Sequence, residues 1–412
     1  MKLNVSRTLV VTGLFLFVAL TAHAQLGPPL HNPTGAVELE ARDLIYRVVP
    51  VVDGLSRPWS IGFLPDGRML VTEDPGRLRM IRDGQLVAEP VWEAPLAPPS
   101  ADPNANNSRL RSVAVHPQFA ENRLVYLAHV KWGDAGSTLA VSRGRLDGGA
   151  LGNVQEIFVA DAWETGGNLG GRMLFAADNT LFVTVGDRDR LCCIDIGGDD
   201  NSLRIKAQDL GSHVGKTLRL RDDGSVPSDN PFVGRPGAKP EIYTYGHRNG
   251  YGLSFHPETG ELWQAEIGPL GGDEVNILVP GRNYGWPLVS TGRNYTGTLV
   301  SEQPWHRPGM EMPRMHWVPS ISPSSIVFYT GDRFPAWKGS LFVGALTTRV
   351  LQRVSFGNPS QDERRELLLG PFGLRIRDVA QGADGFLYVA TEIGGQEPGA
   401  KDGAVLRIEP VE

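Results

Sequence analysis

The chain has 412 residues, a formal net charge of −6 and an isoelectric point near 5.9. This charge argues against a nucleic-acid partner, because a nucleic-acid surface needs a basic footprint and no block of like charge appears. The length is enough to bury a large core. As a non-repetitive fold, such a chain would be expected to divide into two or three domains.

The first 24 residues have the three-part pattern of a secretory signal peptide. Two basic residues precede an apolar run over residues 9–20, and the small residues that follow predict cleavage between Ala24 and Gln25. A membrane anchor is the alternative, but this run is shorter than the roughly 20 residues that a span needs, and no second such stretch follows. We expect residues 25–412 to be exported, periplasmic or secreted, with no membrane span.

The sequence contains two cysteines, and they are adjacent, at Cys192 and Cys193. Their spacing does not match the familiar zinc motifs. In an oxidising compartment they could form a vicinal disulfide, remain as two thiols or bond to another chain. The sequence leaves these three alternatives open.

One pattern recurs along the chain: an apolar strand, a turn such as Pro-Asp-Gly or Pro-Glu-Thr-Gly, and a second apolar strand. Its six copies begin at Ile61, Val113, Met173, Leu253, Ile326 and Val379. Repeats of this kind in an all-β chain predict a propeller with six blades, which makes residues 25–412 a single domain. A β-sandwich fits six repeats with long inserts less well.

The two ends of the mature chain offer the strands that would close this ring. The segment DLIYRVVPVV (residues 43–52) is predicted to pair with AVLRIE (residues 404–409). The longest irregular stretches cover residues 95–111, 191–209, 222–239 and 295–319. Since functional sites favour long loops on a rigid scaffold, we expect the site at the mouth of the central channel.

The densest polar cluster is YTYGHRNGYGLSFHP, which contains His247, Arg248 and Asn249. A guanidinium beside an amide is a good receptor for carboxylates and carbonyls, although a salt bridge at a blade edge is the plainer interpretation. Downstream, EIGPLGGDEVNIL offers the backbone carbonyls of Gly268 and Pro269 and the carboxylate of Glu274. Hard oxygen ligands of this kind suit calcium.

Two further segments carry candidate ligand contacts. Tyr284 and Tyr295 lie in GRNYGWP and STGRNYTG, and the ring of Tyr295 could pack on a planar ligand. Arg375 and Arg377 are two residues apart on one predicted strand, so their side chains share a face. Their charges repel each other unless an anion lies between them.

These segments together resemble the soluble aldose sugar dehydrogenases that use pyrroloquinoline quinone (PQQ). The resemblance runs from about Arg57 to the C-terminus and includes RPWSIGFLPDGRMLVTE, YTYGHRNGYGLSFHP, GRNYGWP and RIRDVAQGADGFLYV. It implies a six-bladed propeller with calcium-bound PQQ at the channel mouth. It also implies a carbohydrate or related alcohol as substrate, oxidised by hydride transfer to the quinone. Neither the sugar nor the electron acceptor is identified.

The resemblance assigns roles position by position. The cofactor-binding positions are Arg248, Asn249, Tyr295, Arg375 and Arg377. The carbonyls of Gly268 and Pro269 match those that hold the calcium of the cofactor, and Glu274 and Tyr284 match a second, structural calcium site. Arginines and calcium are sensible partners for the three carboxylates of PQQ.

The sequence departs from the family at four positions. Asn168 in NLGGR replaces the histidine that takes the proton from the anomeric hydroxyl. Asn107 stands near a glutamine of the cofactor site, Thr347 replaces a lysine, and Ile267 replaces a common histidine. Since an amide cannot act as a general base, His247, Asp187 and Glu164 are the candidate replacements.

Three functions therefore remain as hypotheses. The first is a PQQ-dependent dehydrogenase with a rearranged site. The second is a calcium-dependent hydrolase or lyase that has lost redox chemistry. The third is a non-catalytic propeller that binds carbohydrate, since propellers serve many functions.

Overall fold

The computed structural model describes residues 31–95, 110–165, 167–189, 201–357, 363–394 and 400–411. The predicted signal peptide, Asn107 and the cysteine pair lie outside these ranges, so their predictions stand as made. The compact unit begins at His31. Within the described ranges, no helix is both long and apolar enough to cross a membrane.

The described chain forms six antiparallel sheets. Its first two strands belong to the last sheet: β1 (Val37–Glu40) and β2 (Ile45–Leu55). Blade 1 contains β3 (Pro58–Phe63), β4 (Met69–Glu73), β5 (Arg77–Arg82), β6 (Gln85–Leu86) and β7 (Trp92–Glu93). Blade 2 contains β8 (Leu110–Val115), β9 (Leu124–Gly133), β10 (Gly136–Asp147) and β11 (Ala150–Val159), with helix α1 (Phe119–Asn122) between its first two strands. Blade 3 contains β12 (Gly170–Phe175), β13 (Leu181–Val185), β14 (Lys216–Leu220) and β15 (Ile242–Tyr245), with α2 (Asn201–Arg204) and a 3-10 turn (Ile205–Gln208) before β14.

The second half repeats the same unit. Blade 4 contains β16 (Gly250–Phe255), β17 (Leu262–Glu266), β18 (Asp273–Leu278) and β19 (Met315–Trp317). Blade 5 contains β20 (Pro323–Phe328), β21 (Leu341–Ala345), β22 (Leu351–Phe356) and β23 (Glu363–Leu368), with a 3-10 turn at Pro335–Trp337. Blade 6 contains β24 (Arg375–Gln381), β25 (Leu387–Glu392) and β26 (Gly403–Pro410), preceded by a 3-10 turn at Gly370–Phe372.

The six inner strands β3, β8, β12, β16, β20 and β24 pack in a ring, and β24 closes it against β3. Side-chain hydrogen bonds align them: Ser112 Oγ donates to the carbonyl of Gly171 at 2.5 Å, and Ser324 Oγ donates to that of Ile376 at 2.6 Å. The fold is therefore the predicted six-bladed β-propeller, and each predicted repeat forms the first two strands of one blade. All inner strands start at the same end of the channel, which is called the mouth below.

The ring closes as predicted, because β2 pairs with β26 in the sheet of blade 6, from Tyr46 opposite Pro410 to Leu55 opposite Gly403. The ring of Tyr46 packs edge-on against Trp337 of blade 5, and Trp337 stacks on Phe334 with centroids 4.5 Å apart. All three side chains are almost completely buried. Each such burial stabilises the fold by about 1.5–3 kcal/mol, so the N-terminal strand is bound by packing as well as by the sheet.

Candidate active site at the channel mouth

Acidic residues recur where the second strand of a blade reaches the mouth. β4, β17 and β25 end in Glu73, Glu266 and Glu392, and all three are buried. Each lies opposite the first residue of the inner strand of its blade. In blade 3, Asp187 follows β13 by two residues. The segments LVTE, WQAE and YVATE carry this signal in the sequence, but these glutamates were not among the predicted site residues.

The Gly-rich loop around Asn168 approaches backbone rather than open space. A Cβ at Gly167, where φ is +84°, would lie 2.3 Å from the carbonyl oxygen of Asp189. A Cβ at Gly170, where φ is +69°, would lie 2.8 Å from that of Thr184. Only glycine avoids both the clash and the unfavourable φ. The glycines therefore let this loop pack directly against the segment that follows β13.

Asn168 lies at the centre of a hydrogen-bonded group that we call the amide network (Asn168, Asp187 and Asn249). Asn168 Nδ2 donates to Asp187 Oδ1 at 2.9 Å, and Asn168 Oδ1 accepts from Asn249 Nδ2 at 3.2 Å. Asn249 Oδ1 in turn accepts from the backbone N–H of Gly170 at 3.1 Å. The structure thus brings together three of the predicted site residues from two blades.

Asp187 is the carboxylate of this network, and its side chain is fully buried. Its Oδ1 also accepts from the backbone N–H of Asp189 at 3.0 Å, and its Oδ2 accepts from Trp286 Nε1 at 2.8 Å. Burial raises the pKa of Asp187 by more than the nearby Arg248 guanidinium lowers it. The carboxylate is therefore placed to orient Asn168, with both of its oxygens engaged.

Arg248 joins the amide network to the predicted calcium turn. Its backbone N–H donates to Glu266 Oε2 at 2.7 Å, and its Nη1 donates to the carbonyls of Ile267 and Gly268, each at 2.9 Å. Its guanidinium also lies 5.4 Å from the ring centre of Trp286. The side chain is buried, so its charge is held at a fixed place at the mouth.

His247 is enclosed next to Arg248. Its Nδ1 lies 2.9 Å from Glu266 Oε1, its Nε2 lies 2.9 Å from Thr244 Oγ1, and its ring stacks on Tyr284 at 4.8 Å. Both ring nitrogens are engaged and the residue is 1% exposed. This geometry favours a positioning role, in which His247 orients the Glu266 carboxylate that holds the backbone of Arg248.

The turn after β17 is compact. The N–H of Gly268 donates to Asp273 Oδ1 at 2.8 Å, and a Cβ at Gly268 would lie 2.3 Å from the carbonyl oxygen of Gly271. Glu274 Oε2 accepts from Asn276 Nδ2 at 3.0 Å. Burial and the Glu266 carboxylate raise the pKa of Glu274 to about 8. A cation beside the Glu274 carboxylate would stabilise its charged form and so lower this pKa.

Tyr284 is placed differently from Glu274. Its hydroxyl donates to the carbonyl of Ile277 at 2.6 Å and accepts from the N–H of Val279 at 2.8 Å, at the end of β18 remote from Glu274. The structure therefore does not bring the Tyr284 hydroxyl to Glu274. Among the residues that the structure describes, no group of three or more His, Cys, Asp or Glu side chains converges as a metal site.

The opposite side of the mouth carries positive charge. We call this group the arginine cluster. It contains the predicted Arg375 and Arg377 and three arginines that were not predicted: Arg57, Arg111 and Arg349. Its two carboxylates are Asp74 and Glu392.

Each carboxylate is shared by two guanidinium groups. Arg375 Nε and Arg377 Nη2 lie 2.8 and 2.6 Å from the same oxygen of Glu392. Arg57 and Arg111 lie 3.1 and 3.6 Å from Asp74. Burial and the charge of Arg377 lower the pKa of Arg375.

Within the described residues, the fifth arginine donates to backbone carbonyls: Arg349 Nη1 lies 2.9 Å from the carbonyl oxygen of Gly373 and 2.8 Å from that of Ile393. In the part of the chain that the structure describes, Arg377 Nε has no hydrogen-bond partner although it is buried. The cluster therefore combines five guanidinium groups with two carboxylates, an excess of three positive charges. Such an excess is suited to an anion with several carboxylates.

The remaining predicted positions lie on the rim. Tyr295 is 41% exposed, in a loop that Leu270 and Arg293 join to the Gly268 turn by reciprocal backbone hydrogen bonds of 2.9 and 3.1 Å. Thr347 is exposed, and its hydroxyl lies 2.7 Å from Ser322 Oγ. Both are accessible to a ligand at the mouth.

The other end of the channel has a different character. A cavity of about 470 Å³ is lined mainly by apolar residues of the inner strands, with the Arg172–Asp378 ion pair at its wall. The Arg172 guanidinium also stacks 4.5 Å from the ring centre of Trp59. None of the predicted site residues that the structure describes lines this cavity.

Comparison with known proteins gives concordant results. Residues 55–407 match the family model described as glucose/sorbosone dehydrogenase. Aldose sugar dehydrogenase YliI of Escherichia coli is 36% identical over 367 residues, covering 87% of this chain and 91% of that protein. The crystal structure of the soluble aldose sugar dehydrogenase of E. coli in its apo form has a TM-score of 0.77 at 33% identity, and covers 89% of this chain and 100% of that one.

A PQQ-bound aldose sugar dehydrogenase from Streptomyces coelicolor is also similar. Its TM-score is 0.67 at 26% identity, and the match covers 92% of this chain and 99% of that one. The family model spans most of the chain, and the E. coli relative exceeds 30% identity over most of its length. The chain therefore belongs to the glucose/sorbosone dehydrogenase family.

Proposed function

We propose that this protein is an exported sugar dehydrogenase that binds PQQ and calcium at the channel mouth and oxidises an aldose or related alcohol. The observation that carries this proposal is the arginine cluster with its excess of three positive charges. Like charges that are at least half-buried, as these are, destabilise a protein unless an anion compensates them. PQQ has three carboxylates, which equal this excess in number and are opposite to it in sign.

The residues present fit this cofactor. Arg375 and Arg377 would hold carboxylates at one edge of the ring system, and Arg248 would act from the other side of the mouth. The exposed ring of Tyr295 is available to lie against the planar group. Asn107 is a further candidate contact, and Thr347 offers a hydroxyl where a lysine would offer charge.

Calcium would be held chiefly by carbonyl oxygens. The turn from Gly268 to Pro269 is fixed by Asp273 and by Arg248, so its carbonyls are positioned before any ion binds. The raised pKa of Glu274 and the buried, unpartnered Oδ1 of Asn276 among the described residues favour a second cation there. In that site Tyr284 would contribute backbone, because its hydroxyl is already engaged.

When bound, PQQ supplies an orthoquinone that can accept a hydride from the sugar carbon that is oxidised. The chain supplies binding and orientation of the sugar hydroxyl. Asn168 Oδ1 accepts one hydrogen bond from Asn249, which leaves one lone pair for that hydroxyl. Asp187 fixes the amide in this orientation through Nδ2.

This arrangement orients the substrate but provides no base at Asn168. Asp187 is enclosed beneath the amide, both nitrogens of His247 are engaged, and Glu164 Oε1 pairs with Lys206 Nζ at 3.1 Å. Removal of the hydroxyl proton then falls to water, so we expect turnover about 10²–10⁴-fold below that of an enzyme with a positioned base. We therefore expect a slow enzyme that still orients the hydroxyl of its bound sugar.

The first experiment is a calorimetric titration of PQQ into purified residues 25–412, with calcium and then with a chelator. Calcium-dependent binding followed by reduction of an artificial dye with an aldose would support the proposal. An absence of PQQ binding with calcium present would contradict it.

A second candidate function is favoured by the closed amide network. If PQQ does not bind, the neutral polar groups around Asn168 and the adjacent calcium turn suit a non-redox propeller that hydrolyses, cleaves or only binds carbohydrate. Turnover of lactones or uronides without any electron acceptor would identify the catalytic form. Saccharide binding without turnover would identify the non-catalytic one.

A further inference from the structure

A cavity of about 590 Å³ opens on the outer side of the mouth, between the loop that precedes β19 and the turn after β21. We call it the rim pocket, and the residues that matter to its chemistry are Arg293, Trp305, His316, Trp317, Thr348 and Arg365. Its volume is within the range of pockets that hold small molecules. None of these residues belongs to the site proposed above.

The rim pocket has an aromatic wall that is open to solvent. Trp305 is 58% exposed, whereas the other eight tryptophans of the chain are buried or half-buried. Its ring is held edge-on to His316 with centroids 5.6 Å apart. An exposed indole that is supported in one orientation provides a flat apolar surface, which a ligand with one apolar face could cover.

The opposite wall is aromatic and cationic. The guanidinium of Arg365 lies 4.7 Å from the ring centre of Trp317, whose Nε1 donates to Gln352 Oε1 at 3.1 Å. Arg365 pairs with Glu363 at 2.5 Å, and the same carboxylate also pairs with Arg314 at 3.1 Å. This wall is therefore held by several contacts, and it offers hydrogen-bond donors that carry positive charge.

Further polar groups stand at the edge of the pocket. Arg293, His316 and Thr348 are exposed, and together they offer guanidinium, imidazole and hydroxyl groups. A pyranose ring has an apolar face of C–H groups and an edge of hydroxyls. An exposed indole face surrounded by donors matches that combination, whereas a purely apolar ligand would leave the donors unpaired.

The rim pocket adjoins the proposed cofactor site. Arg293 is two residues from Tyr295 and exchanges backbone hydrogen bonds with Leu270, which follows Pro269. Thr348 follows Thr347 directly. A saccharide with one ring at the mouth could therefore extend its next ring outwards along this wall.

We propose that the rim pocket is a saccharide-binding subsite that holds a pyranose residue of an oligosaccharide against Trp305. Binding to this subsite does not depend on PQQ. Its kinetic consequence, a preference for oligosaccharides over monosaccharides, rests on the function proposed above.

The test compares glucose with maltotriose and cellotriose, first as binding without PQQ and then as turnover with PQQ and calcium. We expect at least one trisaccharide to bind the wild-type protein and to change tryptophan fluorescence. Trp305→Ala should weaken that affinity about 10- to 100-fold, as expected for loss of a central aromatic contact. Trp305→Phe should retain most of it, and Val233→Ala, at another exposed apolar position, should leave it unchanged.

In the PQQ-loaded enzyme, Trp305→Ala should raise KM for the trisaccharide by a similar factor and leave kcat and KM for glucose unchanged. Equal affinities of wild type and Trp305→Ala for both trisaccharides would overturn the subsite. Slower reduction of a protein electron acceptor with unchanged saccharide affinity would also overturn it, and would make this surface a protein-docking site.

Failure of this inference and failure of the proposed function are distinguishable. If PQQ does not bind but the trisaccharide binds and depends on Trp305, the subsite stands and the dehydrogenase function falls. If glucose is oxidised but neither trisaccharide interacts with Trp305, the subsite alone falls.

Discussion

The two sides of the channel mouth differ in whether their polar groups find partners within the protein. In the amide network, donors and acceptors satisfy one another within the protein, and the central groups are neutral amides around one buried carboxylate. In the arginine cluster, two carboxylates pair with four guanidinium groups, and the fifth guanidinium donates to backbone carbonyls. A network that is already complete orients a substrate, whereas one with excess charge is completed by a ligand.

The free-energy cost of removing these polar groups from water differs between the two sides of the mouth. Desolvating unpaired or like charges is expensive, and proteins usually avoid it away from functional sites. The arginine cluster is therefore the stronger evidence for a ligand. The amide network is the stronger evidence that chemistry at Asn168 differs from that of a site with a histidine.

The largest expected effect is a gain of activity from Asn168→His. An imidazole N–H in place of Asn168 Nδ2 could donate to Asp187, which would leave the other nitrogen free to take the proton. We expect kcat with PQQ, calcium and an aldose to rise by about 10²–10⁴-fold in a dye-linked assay. Asn168→Gln serves as the control without a base, and adding Asp187→Asn to Asn168→His should remove most of the gain. An Asn168→His variant that binds PQQ but is no faster would contradict this view of the amide network.

The next effect concerns the stability of the amide side. Arg188 is fully buried, and it donates to the carbonyls of Glu164 at 3.1 Å and Gly167 at 3.4 Å, which fixes the loop that carries Asn168. We expect Arg188→Met to lower the free energy of unfolding by about 1–3 kcal/mol for each buried carbonyl that it leaves without a donor. Arg221→Met, at an exposed position, should change it little. Equal midpoints for both variants in urea unfolding would refute the role given to Arg188.

On the arginine side, the expected effect is on cofactor affinity. Arg377→Gln should weaken PQQ binding by about 10- to 100-fold, the usual cost of losing a charged hydrogen bond. Arg407→Gln on the outer part of blade 6 is the matched control, because Arg407 pairs locally with Glu409. Calorimetric titration of each variant with PQQ, in the presence of calcium, measures both affinities. An unchanged affinity of Arg377→Gln for PQQ would mean that the Arg377 charge contributes to the folded protein and not to cofactor binding.

The smallest effect is a contrast in pH dependence. Burial raises the pKa of Asp187, so its contribution to stability is present below about pH 4 and is lost as the pH rises through the raised pKa. Burial would also raise the pKa of Glu392, but Arg377 and Arg375 outweigh it and lower that pKa. The contribution of Glu392 is therefore present above about pH 4.5 and is lost as the pH falls through the lowered pKa.

Unfolding free energies measured from about pH 2 to 7 test this contrast, because the Glu392 contribution is lost below about pH 4.5. Relative to Asp187→Asn, the wild type should lose stability as the pH rises, and relative to Glu392→Gln it should gain stability. The same sign for both differences would show that the two sides of the mouth do not differ in the way described.

Much of the fold follows from local sequence. Each of the six repeats forms the first two strands of a blade, since alternating apolar residues and glycine turns specify a hairpin without reference to the rest of the chain. The pairing of β2 with β26 was also predicted, from the strand-like segments near the two ends of the mature chain. The family resemblance selected Arg248, Asn249 and the Arg375–Arg377 pair.

The sequence alone did not show which of these residues have their bonding capacity already filled. That His247 is enclosed between Glu266, Thr244 and Tyr284, and that Arg57 and Arg111 share Asp74, depends on contacts between residues far apart in sequence. Local patterns fix strands and turns, whose hydrogen bonds join near neighbours. The charge balance and orientation of side chains at the mouth were decided only when six blades brought their strand ends together.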